Sequence, residues 1–151
     1  MPLLAHVASE EAVTCIERMV GHNPFGIDYS AIPSCTYTSP QIASIGKTES
    51  QLQDEGVDYS KGIYSLKSHG KAIAVGATDG VVKLLASKPY GEILGAHIIG
   101  ESASELIAEL GLAIRLEATV EDIISTMHAH PTMAESIHEA AMGTEGRMIH
   151  N

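Results

Sequence analysis

The chain has 151 residues, room for one domain and a short flanking segment, and 44% of them are hydrophobic. With one Phe, five Tyr and no Trp, the core has to be built from Leu, Ile, Val and Ala. Nineteen acidic residues against nine basic ones leave a formal charge of −10, which argues against nucleic acid and anionic membrane surfaces as partners. Apolar runs such as 106–114 are interrupted by Glu109 and Gly111 and are too short to cross a bilayer. Residues 1–6 carry no basic stretch leading into an apolar one, so no secretory signal is read and a soluble, intracellular protein is expected. Cys15 and Cys35 lack CxxC spacing and read as buried or idle thiols.

In chain order, Ser9 is placed to cap a first helix carrying Val13, Ile16 and Val20, with Gly21 placed to end it. Asn23, Pro24, Gly26 and Pro33 mark a loop, and the domain boundary is set there, giving 1–31 and 32–151. Ser34–Thr38 and Ile42–Gly46 read as short extended segments on either side of Ser39-Pro40. Thr48 with Gln51 matches a capping box opening a short helix that Gly56 stops. Residues 62–100 read as strands, with Val81–Ala86 and Ile93–Ile99 forming a hairpin across Lys88-Pro89-Tyr90-Gly91. Ser102 with Glu105 matches a second capping box, ahead of Ala103, Leu106, Ile107, Leu110 and Ile114 on one helical face. Thr119 with Asp122 opens another helix ending before His128, and Thr132–Met142 is helical by pattern, closed by Gly143. Strands first and helices after predict an α+β fold, a mostly antiparallel sheet of four to five strands with helices on one face. No internal repeat or low-complexity segment interrupts it.

The chemistry-bearing residues concentrate at 128–138, where His128, His130, Glu135 and His138 fall close together. Three imidazoles and a carboxylate allow a zinc site, although neither HExxH nor paired CxxC is present. A second reading is an acid–base pair. Imidazole titrates near neutrality, and its basicity and direction depend on what its other nitrogen bonds. Pro131 keeps His130 out of the helical backbone region, and Glu135, in the first turn of the following helix, is able to point back at the ring. A third reading is purely local: Thr132 and Glu135 match a capping box in which the carboxylate serves only the Thr132 amide. The last two are compatible, because a carboxylate has two oxygens. There is no GxGxxG and no GxSxG, and Gly70, Gly76 and Gly80 read as turn residues. Any group that His130 and Glu135 act upon must come from elsewhere.

The segment His-Ala-His-Pro-Thr-Met-Ala-Glu, residues 128–135, resembles the signature near the end of dihydrolipoamide dehydrogenases, flavin-dependent members of the pyridine nucleotide-disulfide oxidoreductases. Ile32-Pro33-Ser34, Tyr37-Thr38-Ser39-Pro40-Gln41 and Ile45-Gly46-Lys47-Thr48-Glu49 resemble the opening of that family's interface domain. Ala77-Thr78-Asp79-Gly80, Ile93–Gly100 and the tail 146–151 continue the likeness, so nearly the whole chain is covered. Glutathione reductases share His-Pro-Thr but usually lack the preceding His-Ala. Mercuric reductases and large thioredoxin reductases carry cysteines at the tail, where this chain has none.

The resemblance implies the interface-domain fold of flavin disulfide reductases, with residues 1–31 ending the preceding flavin-binding region. It implies flavin contacts at Leu3, Leu4, Ala5 and His6, Leu3 standing where Met is usual, and a further cofactor contact at Pro131 after a His130–Pro131 bond that is cis in relatives. It implies a homodimer using FAD and NAD, in which His130 takes a proton from dihydrolipoamide and Glu135 orients it. The implied partner is a lipoyl domain of a 2-oxo acid dehydrogenase or glycine cleavage complex, in the cytoplasm or, in a eukaryote, the mitochondrial matrix. Neither the redox cysteine pair nor the nicotinamide motif of the family is present. The chain by itself is therefore expected to be inactive and to retain neither cofactor, and Met1 directly before family sequence reads as a designed boundary. The competing expectation is a stand-alone metal-binding or regulatory α+β domain using His128, His130 and His138.

Overall fold

The computed structural model describes residues 3–150, which divide between Ile32 and Pro33 into two compact units. The first holds helix α1 (Ala5–Met19) and a single 3-10 turn, Tyr29–Ala31. Ser9 does not cap α1. The helix begins four residues earlier, and the Ser9 hydroxyl donates back to the Ala5 carbonyl at 3.0 Å, the usual alternative for a serine inside a helix. The Tyr29 hydroxyl donates to Glu11 at 2.8 Å and ties the following loop to the helix.

The second unit is a five-stranded antiparallel sheet in the order β1 (Ser34–Thr36), β2 (Gln41–Gly46), β5 (Ile93–Gly100), β4 (Val81–Ser87), β3 (Tyr59–Ser65). The expected α+β class, antiparallel sheet and β4–β5 hairpin are all present. The register lines up Ala43, Ile98, Val82 and Tyr64 in one cross-strand row, and Ile45, Ala96, Leu84 and Gly62 in another. Apart from Gly62, all of these have 3% or less of their surface exposed, so together they form one wall of the core. Helix α4 (Ala103–Arg115) packs on β2 and β5 from this side, and α6 (Glu135–Thr144) on β3 and β4. Burying that apolar surface is the main source of stability.

Thr48 and Gln51 form the expected capping box at α2 (Glu49–Asp54), and Thr119 and Asp122 form one at α5 (Val120–Ser125). The Thr119 backbone and hydroxyl hold the Asp122 carboxyl below the ordinary range. Ser102 and Glu105 form none. Ser102 adopts a left-handed backbone, φ 62°, and the Ser104 amide and hydroxyl donate instead to the Gln41 side chain at 3.1 and 3.0 Å. A partner from the sheet thus replaces the local cap. The stretch 62–100, expected as strands, also contains a 3-10 turn, Leu66–Ser68, and helix α3 (Gly70–Val75). Leu66 and Ala72 are buried, so the apolar signal was genuine, while Ser65 accepts the Lys67 amide and breaks the strand. Gly143 does not close α6, which runs on to Thr144. Its role is close packing: a Cβ there would lie 3.2 Å from the Gly62 Cα. Among the described residues no helix is long and apolar enough to cross a membrane.

Candidate active site

The segment between α5 and α6 carries the residues singled out by type and spacing. The His130–Pro131 bond is cis. Nδ1 of His130 lies 2.9 Å from Oε1 of Glu135, while the other carboxylate oxygen, Oε2, accepts the Thr132 amide at 2.8 Å. The acid–base and capping geometries therefore coexist, one on each oxygen. The cap is incomplete. Helix α6 starts at Glu135, and the Thr132 hydroxyl donates to the Ala129 carbonyl at 2.7 Å instead of accepting a helix amide.

Electrostatics fit this arrangement. Partial burial pushes the Glu135 carboxyl upward, but the Thr132 amide and His130 together outweigh it and hold the group below the ordinary carboxylate range. An ionised carboxylate only accepts hydrogen bonds, so Nδ1 of His130 is the nitrogen that donates to Glu135. The His130 side chain is 79% exposed against 26% for Glu135. The result is an outward-facing imidazole oriented from behind, with no hydrogen bond to Nε2 from the side chains and backbone of the described residues.

The other two histidines of the metal reading do not converge with it. His128 places Nε2 2.8 Å from Glu109 and Nδ1 3.1 Å from the Thr126 carbonyl, and His138 directs Nε2 at the Ile124 carbonyl, 3.0 Å away. Their rings meet edge to face at 5.6 Å. No group of three His, Cys, Asp or Glu side chains among the described residues has the geometry to hold a metal ion.

A cavity of about 580 Å³ opens beside the pair, lined among others by Tyr64, His69, Met127, His128 and Ile149. Sequence reasoning missed two residues that build it. His69, 4% exposed, reaches the Thr132 carbonyl with Nε2 at 2.8 Å and meets the Tyr64 ring edge-on at 5.7 Å. Glu139, 5% exposed, accepts the Ile149 and His150 amides and the His150 imidazole. Neither stands in a recognisable motif, and His69 meets its partner across 63 residues of chain.

Residues 32–141 match the model of the pyridine nucleotide-disulphide oxidoreductase dimerisation domain. The chain belongs to this family. It is 46% identical over 149 residues to dihydrolipoyl dehydrogenase 2, mitochondrial, of Arabidopsis thaliana, covering 99% of this chain and 29% of that protein. It is likewise 46% identical over 149 residues to dihydrolipoyl dehydrogenase of Geobacillus stearothermophilus, covering 99% of this chain and 32% of that one. The crystal structure of LpdA from Mycobacterium tuberculosis superposes with a TM-score of 0.88 at 26% identity, over 93% of this chain and 30% of that one. The chain thus spans about a third of the length of these relatives.

The flavin contacts expected for the family's neighbouring region fall at the start of α1. Leu3 is fully exposed, Leu4 occupies the cap position without a side-chain hydrogen bond, and no acid lies in the first turn. A helix start free of acids fits the anionic part of a dinucleotide. Pro131 is exposed beside His130.

Proposed function

We propose that this chain is the association domain of a dihydrolipoyl dehydrogenase and lends His130 and Glu135 to the active site of a partner subunit. The observation that carries the reading is the two-handed Glu135 carboxylate, one oxygen on Nδ1 of His130 and one on the Thr132 amide, behind an imidazole that is itself largely exposed. In this reading the disulfide that the pair serves is supplied by the partner subunit.

In this reading Nε2 of His130 accepts the proton of a dihydrolipoamide thiol. The resulting thiolate attacks one sulfur of the partner subunit's disulfide, forming a mixed disulfide and releasing the other sulfur as a thiolate. Glu135 stabilises the imidazolium that forms and keeps Nδ1 from competing as the base. Leu3, Leu4, Ala5 and His6 would hold part of FAD through the helix start. When bound, FAD would supply the redox chemistry that links the reduced cysteines to NAD. The dihydrolipoamide would arrive on a lipoyl domain of a 2-oxo acid dehydrogenase or glycine cleavage complex, in the cytoplasm or the mitochondrial matrix. Self-association is supported by apolar residues on the outer face of the sheet. Ile42 and Ile99 are cross-strand partners there, 44% and 39% exposed.

A chimera tests the base. Residues 33–151 replace the matching segment of the Geobacillus stearothermophilus enzyme, and dihydrolipoamide-dependent NAD reduction is measured with and without His130→Gln. Turnover in the chimera and its loss by roughly two to four orders of magnitude in the variant support the role. Equal turnover in the two removes it. Sedimentation equilibrium of the 151-residue chain tests association separately, a dimer being expected.

A further inference from the structure

His69 lies outside every motif that drew attention to the site, yet it is one of three buried polar side chains among the described residues, with Ser136 and Glu139. A buried imidazole is costly unless its donor finds an acceptor. The acceptor here is the Thr132 carbonyl, 2.8 Å from Nε2, and because a carbonyl only accepts, Nε2 carries the proton. Thr132 is the residue whose amide holds Glu135. Its peptide groups are thus gripped from two sides, by the Glu135 carboxylate and by His69.

The other hydrogen bonds of residues 129–135 stay local. Thr132 bonds Ala129 and Glu135, His130 bonds Glu135, and Met133 and Ala134 accept the first amides of α6. Such bonds shape the segment but do not fix it to the sheet. His69 does so from a rigid base. Its amide donates to the Leu66 carbonyl, its carbonyl accepts the Ile73 amide, and Tyr64 of β3 packs edge-on against its ring.

We propose that His69 is a positioning residue for the His130–Glu135 pair, holding the Thr132 carbonyl so that the Glu135 carboxylate stays aimed at Nδ1 of His130. This rests on the reading of the pair given under Proposed function. It assigns to the junction between the Leu66–Ser68 turn and α3 a part in setting which nitrogen of His130 is basic. An unrestrained neutral imidazole prefers its proton on Nε2, so the Nδ1-protonated form of His130 reports on the aim of Glu135 directly.

The test is the tautomer ratio of His130, read from long-range nitrogen–proton spectra of the 151-residue chain with labelled histidine. Three variants are compared with the parent chain. His69→Phe keeps a ring against Tyr64 and deletes the donor, His69→Gln keeps a donor near the position of Nε2, and Glu135→Ala removes the carboxylate. The parent and His69→Gln are expected to favour the Nδ1-protonated form. His69→Phe is expected to shift the ratio towards Nε2 by about two- to tenfold, the scale of one net hydrogen bond. If His69→Phe does not fold, His69→Leu makes the same comparison. A ratio that moves in Glu135→Ala but not in His69→Phe or His69→Leu overturns the positioning role and leaves the pair standing. A ratio that moves equally in His69→Gln also overturns it, because retained donation then does not matter. If Glu135→Ala leaves the ratio unchanged, the pair itself fails and the inference falls with it. A merely structural role would lower the unfolding temperature without moving the ratio.

Discussion

Oε1 of Glu139 lies 2.7 Å from Nδ1 of His150, and Oε2 accepts the amides of Ile149 and His150 at 3.1 and 3.3 Å. One nearly buried carboxylate on α6 therefore fastens the carboxy-terminal stretch along the cavity that adjoins His130, with Ile149 and His150 in its lining. Glu139→Ala leaves two backbone amides without their acceptor and is expected to cost about 1–3 kcal/mol. Hydrogen exchange at Ile149 and His150 should quicken together with the loss. His150→Ala removes only an imidazole whose side chain is 65% exposed and leaves both amide bonds, so its effect should be clearly smaller. Equal effects from the two variants would place the clamp in the imidazole and not in the amides.

The approach of β3 to α6 depends on Gly62. A Cβ there would lie 1.9 Å from the Ala140 carbonyl oxygen and 2.7 Å from the Thr144 nitrogen, both backbone atoms of the helix. Gly62→Ala must push α6 off the sheet, at an expected cost of about 3 kcal/mol or more. Glu135 begins the same helix, so the His130–Glu135 distance should be disturbed as well. Gly26→Ala, with open space around the added carbon, should stay within about 0.5 kcal/mol of the parent. Thermal unfolding of the two variants checks both statements, and a mild Gly62→Ala would show that helix and strand can separate cheaply.

Glu49, in the first turn of α2, bridges Lys61 of β3 at 2.9 Å and Lys83 of β4 at 3.1 Å. Hydrogen bonds from Lys61 and Lys83, against a smaller opposing effect of burial, bring its carboxyl down to about 2 from 4.5. A carboxyl lowered in the folded state stabilises that state above its unfolded value and loses the contribution as pH falls through the folded one. Glu49→Gln should therefore be less stable than the parent near neutrality, and the gap should close between pH 4.5 and about 2. Urea midpoints across that window measure it. A gap that is constant with pH would mean that the charge on Glu49 contributes nothing, the common outcome for exposed pairs.

What could be read in the sequence is what short-range physics decides. Two apolar segments on either side of the Lys88–Gly91 turn located the β4–β5 hairpin, and Thr48 and Thr119 located two helix starts, because each partner lies within a few residues. The pairing of His130 with Glu135 was legible for the same reason. Where the deciding partner was distant, pattern misled. Ser102 lost its local box to Gln41, and residues 66–75, inside the stretch read as strands, form a 3-10 turn and a helix. His69, Glu109 and Glu139 carried no local signal, since their partners Thr132, His128 and His150 are brought to them only by the fold.

Glu135→Gln separates orientation from charge at the same site. The amide oxygen can still accept the Thr132 N–H, so the segment should keep its shape. The amide NH2 is then turned towards Nδ1 of His130, which must become the acceptor and move the ring proton to Nε2. The nitrogen facing outward is thereby blocked while the imidazole stays in place. In the chimera with the Geobacillus stearothermophilus enzyme, dihydrolipoamide oxidation should fall by roughly two to four orders of magnitude. Folding and dimerisation should be nearly unchanged, and the His130 nitrogen shifts should report the exchanged tautomer. Glu135→Ala leaves the ring free to sample both tautomers and should retain more activity than Glu135→Gln at equal stability. Equal activity in the two variants would mean that the charge of Glu135, absent from both, and not its control of the ring proton, is what the reaction uses.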